Sequence, residues 1–301
     1  MIKKTIIAED GHQIEVFVWP HGQAKAWVHI FHGMAEHALR YTDFAENLAA
    51  AGYAVVAHNH RGHGTGEGVI LGSYIAENGW QGLLNDISIV RDEVCGDELA
   101  YFVFGHSMGS FIAQSYLSTQ PKAIDGVVLS GSNYQAVWLS RAGRAIARIE
   151  RFRLGFDKSS KLLQFLSFGS FNQNFKPNRT DCDWLTRSAS EVDKYIADPL
   201  SGFDCSTGLW VDFLGSLIDL FSTSGFKKIS IEVPIFILGG TRDPVGLMGK
   251  GLPKLLEAYE ANGQKNVSLK LFENGRHEML NEINKDEVYR EIIAWLEKQD
   301  R

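Results

Sequence analysis

Short, nearly unbroken apolar runs recur along the chain: AWVHIF, YAVVAH, AYFVF, GVVLSG, PIFILGG and VSLKLF. Most are followed by a longer stretch with apolar residues at helical spacing, around 41–51, 82–94, 107–119, 250–262 and 286–298. A strand that is apolar on both faces needs cover on both faces, and strands joined through helices run parallel with right-handed crossovers. The pattern therefore specifies an α/β chain whose mostly parallel sheet is flanked by helices. Ahead of it, segments 5–8 and 13–19 flank EDGH and predict a β-hairpin.

The alternation stops between 134 and 226, where Trp210, Phe213, Leu214, Leu217 and Phe221 recur at helical spacing and no strand-like run intervenes. This stretch reads as a helical cap inserted into the sheet body. The expected division is 1–133 for the first part of the body, 134–228 for the cap or lid, and 229–301 for the second part. A chain of 301 residues accommodates one large domain with such an insertion.

Composition removes several function classes. A net charge of -6 argues against nucleic acid as a partner, because neutralising phosphates needs a concentrated basic surface. With 45% hydrophobic and 22% charged residues, the chain is neither disordered nor fibrous. Cys95, Cys182 and Cys205 are too few for a disulfide framework and show no zinc-ligand spacing, so they read as reduced, buried thiols and no metal is expected. The opening MIKKTIIAEDGHQ turns polar too soon for a signal peptide, and no apolar run approaches a membrane span. A cytoplasmic location is the resulting expectation.

In VFGHSMGS the strand run ends at Ser107, between Gly105 and Gly109, and a helical segment follows. This is G-x-S-x-G in the strand-turn-helix setting that exposes a nucleophilic serine. Glycine two positions either side is what a strained turn, crowded by neighbouring backbone, demands. A serine hydroxyl needs a base, and the base needs a carboxylate to orient it. Of the ten histidines only His277 follows Ser107, so the order serine, acid, histidine leaves it as the base. Asp243, in GGTRDPVG just past PIFIL, is the favoured acid; Asp212 and Asp219 lie in a cap helix and look solvent-facing. Oxyanion donors are expected at the backbone N–H of Met108 and at Met34 in HGMAEH, where His32 and Gly33 shape the loop. His106, beside the serine, reads as support for the turn, and His32 as a structural hydrogen-bonder. The histidine-rich AHNHRGHGTGEG carries glycines at 62, 64, 66 and 68 and reads as loop architecture, with Arg61 tying carbonyls or a carboxylate.

Taken together, HGMAEHALRY, AHNHRGHGTGEG, GHSMGS, GTRDPV and GRHEMLNE resemble, in that order, the α/β-hydrolase superfamily, and within it the monoacylglycerol lipase and lysophospholipase branch. The resemblance implies a mostly parallel eight-stranded sheet with a helical cap insertion, a triad of Ser107, Asp243 and His277, and oxyanion donors at Met34 and Met108. It implies no cofactor. The chain departs from the family at Asn59, where aspartate is usual, and at Ser110, where glycine is usual.

The cap holds ten of the 18 phenylalanines together with Trp138, Trp184 and Trp210, which suits either an acyl pocket or the core of a small helical layer. Arg141, Arg144, Arg148 and Arg151 recur at helical spacing as one basic stripe, either a solvated face or a peripheral contact with a membrane surface. The expected function is a serine carboxylic-ester hydrolase acting on monoacylglycerols or lysolipids through an acyl-enzyme, with a small-molecule lipid or ester as its partner. A small-ester carboxylesterase or a serine aminopeptidase on the same fold is the alternative, and a non-catalytic ligand-binding protein a third reading.

Overall fold

The computed structural model describes residues 1–74 and 78–299. Its strands are β1 (Ile2–Ile7), β2 (Gln13–Trp19), β3 (Ala26–Phe31), β4 (Ala54–His58), β5 (Ala100–His106), β6 (Gly126–Ser130), β7 (Ile235–Gly240) and β8 (Val267–Phe272). They form one eight-stranded sheet in the order β1-β2-β4-β3-β5-β6-β7-β8. β1 and β2 form the antiparallel hairpin, β2 also runs antiparallel to β4, and all remaining pairs are parallel.

Helices α1 (Thr42–Ala50), α2 (Gly79–Val90) and α3 (Met108–Ser118) connect the first parallel strands. Next come α4 (Val137–Leu154), α5 (Lys161–Gln164), α6 (Ala189–Ala197), α7 (Thr207–Leu220) and α8 (Thr223–Phe226), all between β6 and β7. The chain closes with α9 (Gly251–Ala261) and α10 (Lys285–Gln299). Among the described residues no helix is long and apolar enough to cross a membrane.

Strand alternation divides the core in two. On β5, Tyr101 and Val103 point to one face and Phe102 and Phe104 to the other, and each face meets its own helices. Phe44 and Leu48 of α1 pack with Val288 and Ile292 of α10 on the second face, while Leu83 of α2, Ile112 of α3 and Leu255 of α9 cover the first. β3 to β6 are therefore almost fully buried, which is why their sequences are apolar apart from His29, His58, His106 and Ser130.

The helices inserted after β6 do not build a separate core. α7 packs along α4 and also against α2 and α3. Leu209, Trp210, Phe213, Leu217 and Phe221 join the apolar cluster that contains Ile112 and the strand residues. Ser206 starts α7 by accepting the Leu209 N–H at 3.1 Å, a cap that contributes about 1 kcal/mol.

Several expectations need correction. α2 begins at Gly79 rather than at 82, because Asp212 accepts the Gly79 N–H at 3.1 Å; Asp212 is therefore half-buried and capping, not solvent-facing. β1 starts at Ile2, ahead of the expected 5, since an exposed edge strand tolerates Lys3 and Lys4. All three thiols are free, but only Cys95 and Cys205 are buried; Cys182 is half-buried. The arginine stripe is split: Arg141 and Arg148 are exposed, while Arg144 donates to the Val211 carbonyl at 3.1 Å and Arg151 lies over the Phe156 ring at 5.0 Å.

Candidate active site

Ser107 occupies the single-residue turn between β5 and α3 with φ 52° and ψ -121°. A non-glycine residue rarely holds such a backbone, which costs about 1–3 kcal/mol and persists only where its surroundings enforce it. They do so by crowding. A Cβ on Gly105 would lie 2.4 Å from the Gly109 carbonyl oxygen, and one on Gly109 would lie 2.1 Å from that of Phe31. The Ser107 N–H donates to Ser130 O at 2.9 Å. Ser110, in the departure from the family pattern, returns its hydroxyl to Ser107 O at 2.6 Å.

His277 follows β8, and its ring lies beside Gly131, the residue after Ser130. A Cβ there would be 2.9 Å from His277 Cε1, so glycine at φ 58° makes the space for the imidazole. The Ser107 turn and the His277 imidazole are thus brought to the same end of β6. His277 Nδ1 stands 3.0 and 3.1 Å from the two Asp243 oxygens. This contact assigns the ring proton to Nδ1 and leaves Nε2 as an acceptor. Burial alone would lower the pKa of His277; the charge and hydrogen bond of Asp243 outweigh it, and the net position lies above that of an ordinary histidine. Asp243 is completely buried and also accepts the Val245 N–H at 2.8 Å.

Two rings bracket the His277 imidazole, His106 at 4.7 Å and Trp184 at 5.0 Å between centroids. Burial first, then the neighbouring His277, pushes His106 down to about 4, so it stays neutral at physiological pH. Trp184 comes from the inserted segment, and its carbonyl accepts the His277 N–H. Nothing local in the sequence marks it.

The loop after β3 is held so that one N–H stays free. The His60 N–H donates to His32 Nε2 at 2.9 Å, which places the His32 proton on Nδ1, and that group donates to Gly33 O at 2.7 Å. Gly33 O and the Met34 N–H belong to one peptide plane, so His32 restrains the Met34 donor from the β3 side. On either side, the Gly33 N–H is taken by Glu36 and the Ala35 N–H by His63 Nε2 at 3.2 Å. Among the described residues neither the Met34 nor the Met108 N–H has a protein acceptor, and Met108 opens α3, where amides are unpaired by geometry.

The histidine-rich segment proves to be the scaffold of this loop. Asn59 accepts the Ala38 N–H at 2.9 Å and donates to Glu15 at 2.9 Å, and Arg61 pairs with Asp86 and Asp10. Among the described residues no group of three or more His, Cys, Asp or Glu is placed to hold a metal.

Arg40 donates to Glu36 at 2.5 Å and, in bidentate fashion, to Glu278 at 2.7 and 2.8 Å. It joins the β3 loop to the residue next to His277. Burial would raise the Glu278 carboxyl, but Arg40 overrides it and holds the group down to about 2. The only sequence signal was the Glu36/Arg40 spacing of one helical turn. Beside the site a cavity of about 480 Å³ is lined by Ala35, Gln164, Phe168, Trp184 and Phe203, among others.

A hydroxyl on a strained turn, an imidazole whose far nitrogen faces a carboxylate, and two free amides are the parts that acyl transfer requires. Comparison with known proteins agrees with that chemistry. The family model described as "Serine aminopeptidase, S33" matches residues 22–284. Monoglyceride lipase of Rattus norvegicus is 27% identical over 297 residues, covering 97% of this chain and 89% of that protein. Monoacylglycerol lipase of Mycolicibacterium smegmatis is 26% identical over 290 residues, covering 95% and 93%. A thermostable carboxyl esterase from Bacillus coagulans superposes with a TM-score of 0.90 over 100% of this chain and 99% of that one, at 23% identity, and so shares the fold. The family match spans most of the chain and the sheet has the matching topology: this protein belongs to the serine aminopeptidase family of the α/β-hydrolase superfamily and is a serine hydrolase.

Proposed function

We propose that this chain hydrolyses carboxylic esters of the monoacylglycerol or lysolipid type, with Ser107 as nucleophile, His277 as base, Asp243 as its orienting acid, and the Met34 and Met108 amides as oxyanion donors. The observation that carries the reading is the His277–Asp243 contact at the strand end where Ser107 is held in its strained turn. Ser107 Oγ attacks the ester carbonyl as His277 Nε2 takes its proton, and the two amides bind the oxyanion of the tetrahedral intermediate. The intermediate collapses, the alcohol leaves with the proton from His277, and an acyl-serine remains. Water, deprotonated by the same nitrogen, then releases the fatty acid and returns the proton to Ser107. Each oxyanion donor of this kind contributes roughly 10²–10³ in rate.

The lipid substrate is supported by the names of the relatives and by an aromatic series leading away from His277. Trp184 stacks on Phe168, Phe168 meets Trp210, Trp210 meets Phe213, and Phe213 meets Phe111 on α3. We read residues 134–228 as a cap over the site. Trp138, Leu139, Ile149 and Phe152 on α4 are exposed beside Arg141 and Arg148, a face suited to peripheral contact with a lipid surface.

A hydrolysis panel tests the reading: a monoacylglycerol, a lysophospholipid, a short aryl ester and an aminoacyl anilide, each with wild type and Ser107→Ala. Turnover fastest on the monoacylglycerol, and fluorophosphonate labelling lost in the variant, are expected. Turnover of the anilide alone would replace the lipase reading with an aminopeptidase, and an unlabelled wild type would end the triad reading.

A further inference from the structure

Ala35 sits directly after Met34 with φ 55°, a left-handed backbone that alanine adopts only under restraint. Half of the restraint comes from the sheet body, through His63. The other half comes from the inserted segment. The Ala35 carbonyl accepts the Gly202 N–H at 2.9 Å and the Tyr195 hydroxyl at 3.2 Å. Two residues on, His37 Nε2 meets Asp198 Oδ2 at 2.7 Å. Asp198 is itself fixed, accepting the Leu200 N–H and the Ser201 hydroxyl, each at 2.9 Å. Arg40 lies over the Tyr195 ring at 4.8 Å. Residues 35, 37 and 40 of the loop are therefore each gripped by a residue from the stretch 195–202.

We propose that Tyr195 and Asp198 are positioning residues for the oxyanion loop, so that the Met34 amide points into the site only while the inserted segment is seated on it. The proposal rests on Met34 being an oxyanion donor. Its physical basis is that the peptides on both sides of Ala35 must be held to keep its φ positive. His63 holds one and the Tyr195/Gly202 pair holds the other. Released on that side, Ala35 relaxes toward negative φ and rotates the 34–35 peptide, and this strains Met34 and the 33–34 peptide that carries its N–H. Ala35, Tyr195 and Gly202 also line the cavity beside Trp184, so whatever fills that cavity presses on the same contacts.

The test uses the full-length chain with a short aryl ester and a trifluoromethyl ketone, which forms a tetrahedral adduct whose oxygen occupies the oxyanion position. Tyr195→Phe removes one hydroxyl and keeps the ring over Arg40. Asp198→Ala removes the partner of His37, and Asp198→Asn retains an acceptor for it. The expected result is a roughly tenfold fall in kcat for Tyr195→Phe and Asp198→Ala, with KM within about twofold and the ketone inhibition constant weakened by the same factor. Asp198→Asn should recover most of the loss. Unchanged kcat in variants that melt like wild type overturns the proposal, and so does a fall in kcat with unaltered ketone affinity. Fluorophosphonate labelling of the wild type keeps the two failures apart: no labelling removes the triad reading beneath the proposal, whereas normal labelling with unchanged variants removes the positioning role alone.

Discussion

Acid should unfold this protein through its buried histidines. Tyr101 OH meets His29 Nδ1 at 2.6 Å, His29 Nε2 meets His58 Nδ1 at 2.8 Å, and His58 Nε2 meets His60 Nδ1 at 3.2 Å. His32 and His63 adjoin this chain, and all five rings are almost fully buried. Burial holds each below its ordinary value, His58 down to about 3 and His63 down to about 4. Because the folded pKa is depressed, the unfolded chain takes up the proton first. The stability His58 contributes is complete above pH 6.5 and is lost as pH falls from 6.5 toward 3. The slope approaches 1.4 kcal/mol per pH unit and the whole window amounts to about 5 kcal/mol. Five such groups at pH 5.5 remove about 7 kcal/mol, comparable with the entire stability of an ordinary domain. Urea midpoints measured at pH 7.5, 6.5 and 5.5 should therefore fall steeply for wild type. His58→Gln should start lower at pH 7.5 but fall less steeply, by about 1.4 kcal/mol per pH unit. A flat midpoint between pH 7.5 and 5.5, or equal slopes in the two proteins, would show that the buried histidines do not set the acid limit of this fold.

With His277 as base, kcat/KM should rise with pH through a midpoint above the ordinary histidine value, since the neutral ring is the active form and Asp243 stabilises the charged one. Asp243→Asn removes that stabilisation and leaves the burial, so the midpoint should drop while kcat falls roughly 10⁴-fold; a pH profile with an unmoved midpoint would count against the pairing. Gly109→Ala should cost more than about 3 kcal/mol, because its methyl group meets the Phe31 carbonyl, whereas Gly22→Ala, with nothing within 4 Å, should stay within about 0.5 kcal/mol in the same urea titration. Arg40→Met strands two buried carboxylates and should destabilise by about 3–5 kcal/mol, partly restored by adding Glu278→Gln; a melting temperature unchanged by Arg40→Met would show the network to be energetically idle.

Parts of the molecule governed by local rules were legible in the sequence. The parallel strands carry their own signature, because burial on both faces favours apolar residues along nearly their whole length. The Ser107 turn did too, because only glycine tolerates backbone oxygens as close as those facing Gly105 and Gly109. Chain order singled out His277, whose ring the structure sets against Asp243. What stayed hidden depends on contacts between distant segments: the start of α2 is set by Asp212, the Arg40–Glu278 pair spans 238 positions, and Trp184 reaches His277 from the inserted segment. The glycines of the histidine-rich stretch mark it as loop architecture, but its partner His29 sits inside an otherwise apolar strand, where the pattern shows a core position and gives no hint of a hydrogen-bonded imidazole.

The same division explains how the site is built. Ser107, Asp243, His277 and the Met34 loop all leave the carboxyl ends of strands β5, β7, β8 and β3 of one sheet, with β6 between β5 and β7, so their separations are set by sheet register, which changes in steps and not continuously. Trp184, Tyr195 and Asp198 come instead from a segment whose anchoring helix α7 shares the apolar cluster of α3. Substitutions that reshape the aromatic series, such as Phe213→Ala, must therefore act on stability and on the site together. They empty part of the common core and loosen the helix that seats the segment against the loop after β3. A protein of this construction can retune its substrate only within what that shared core tolerates.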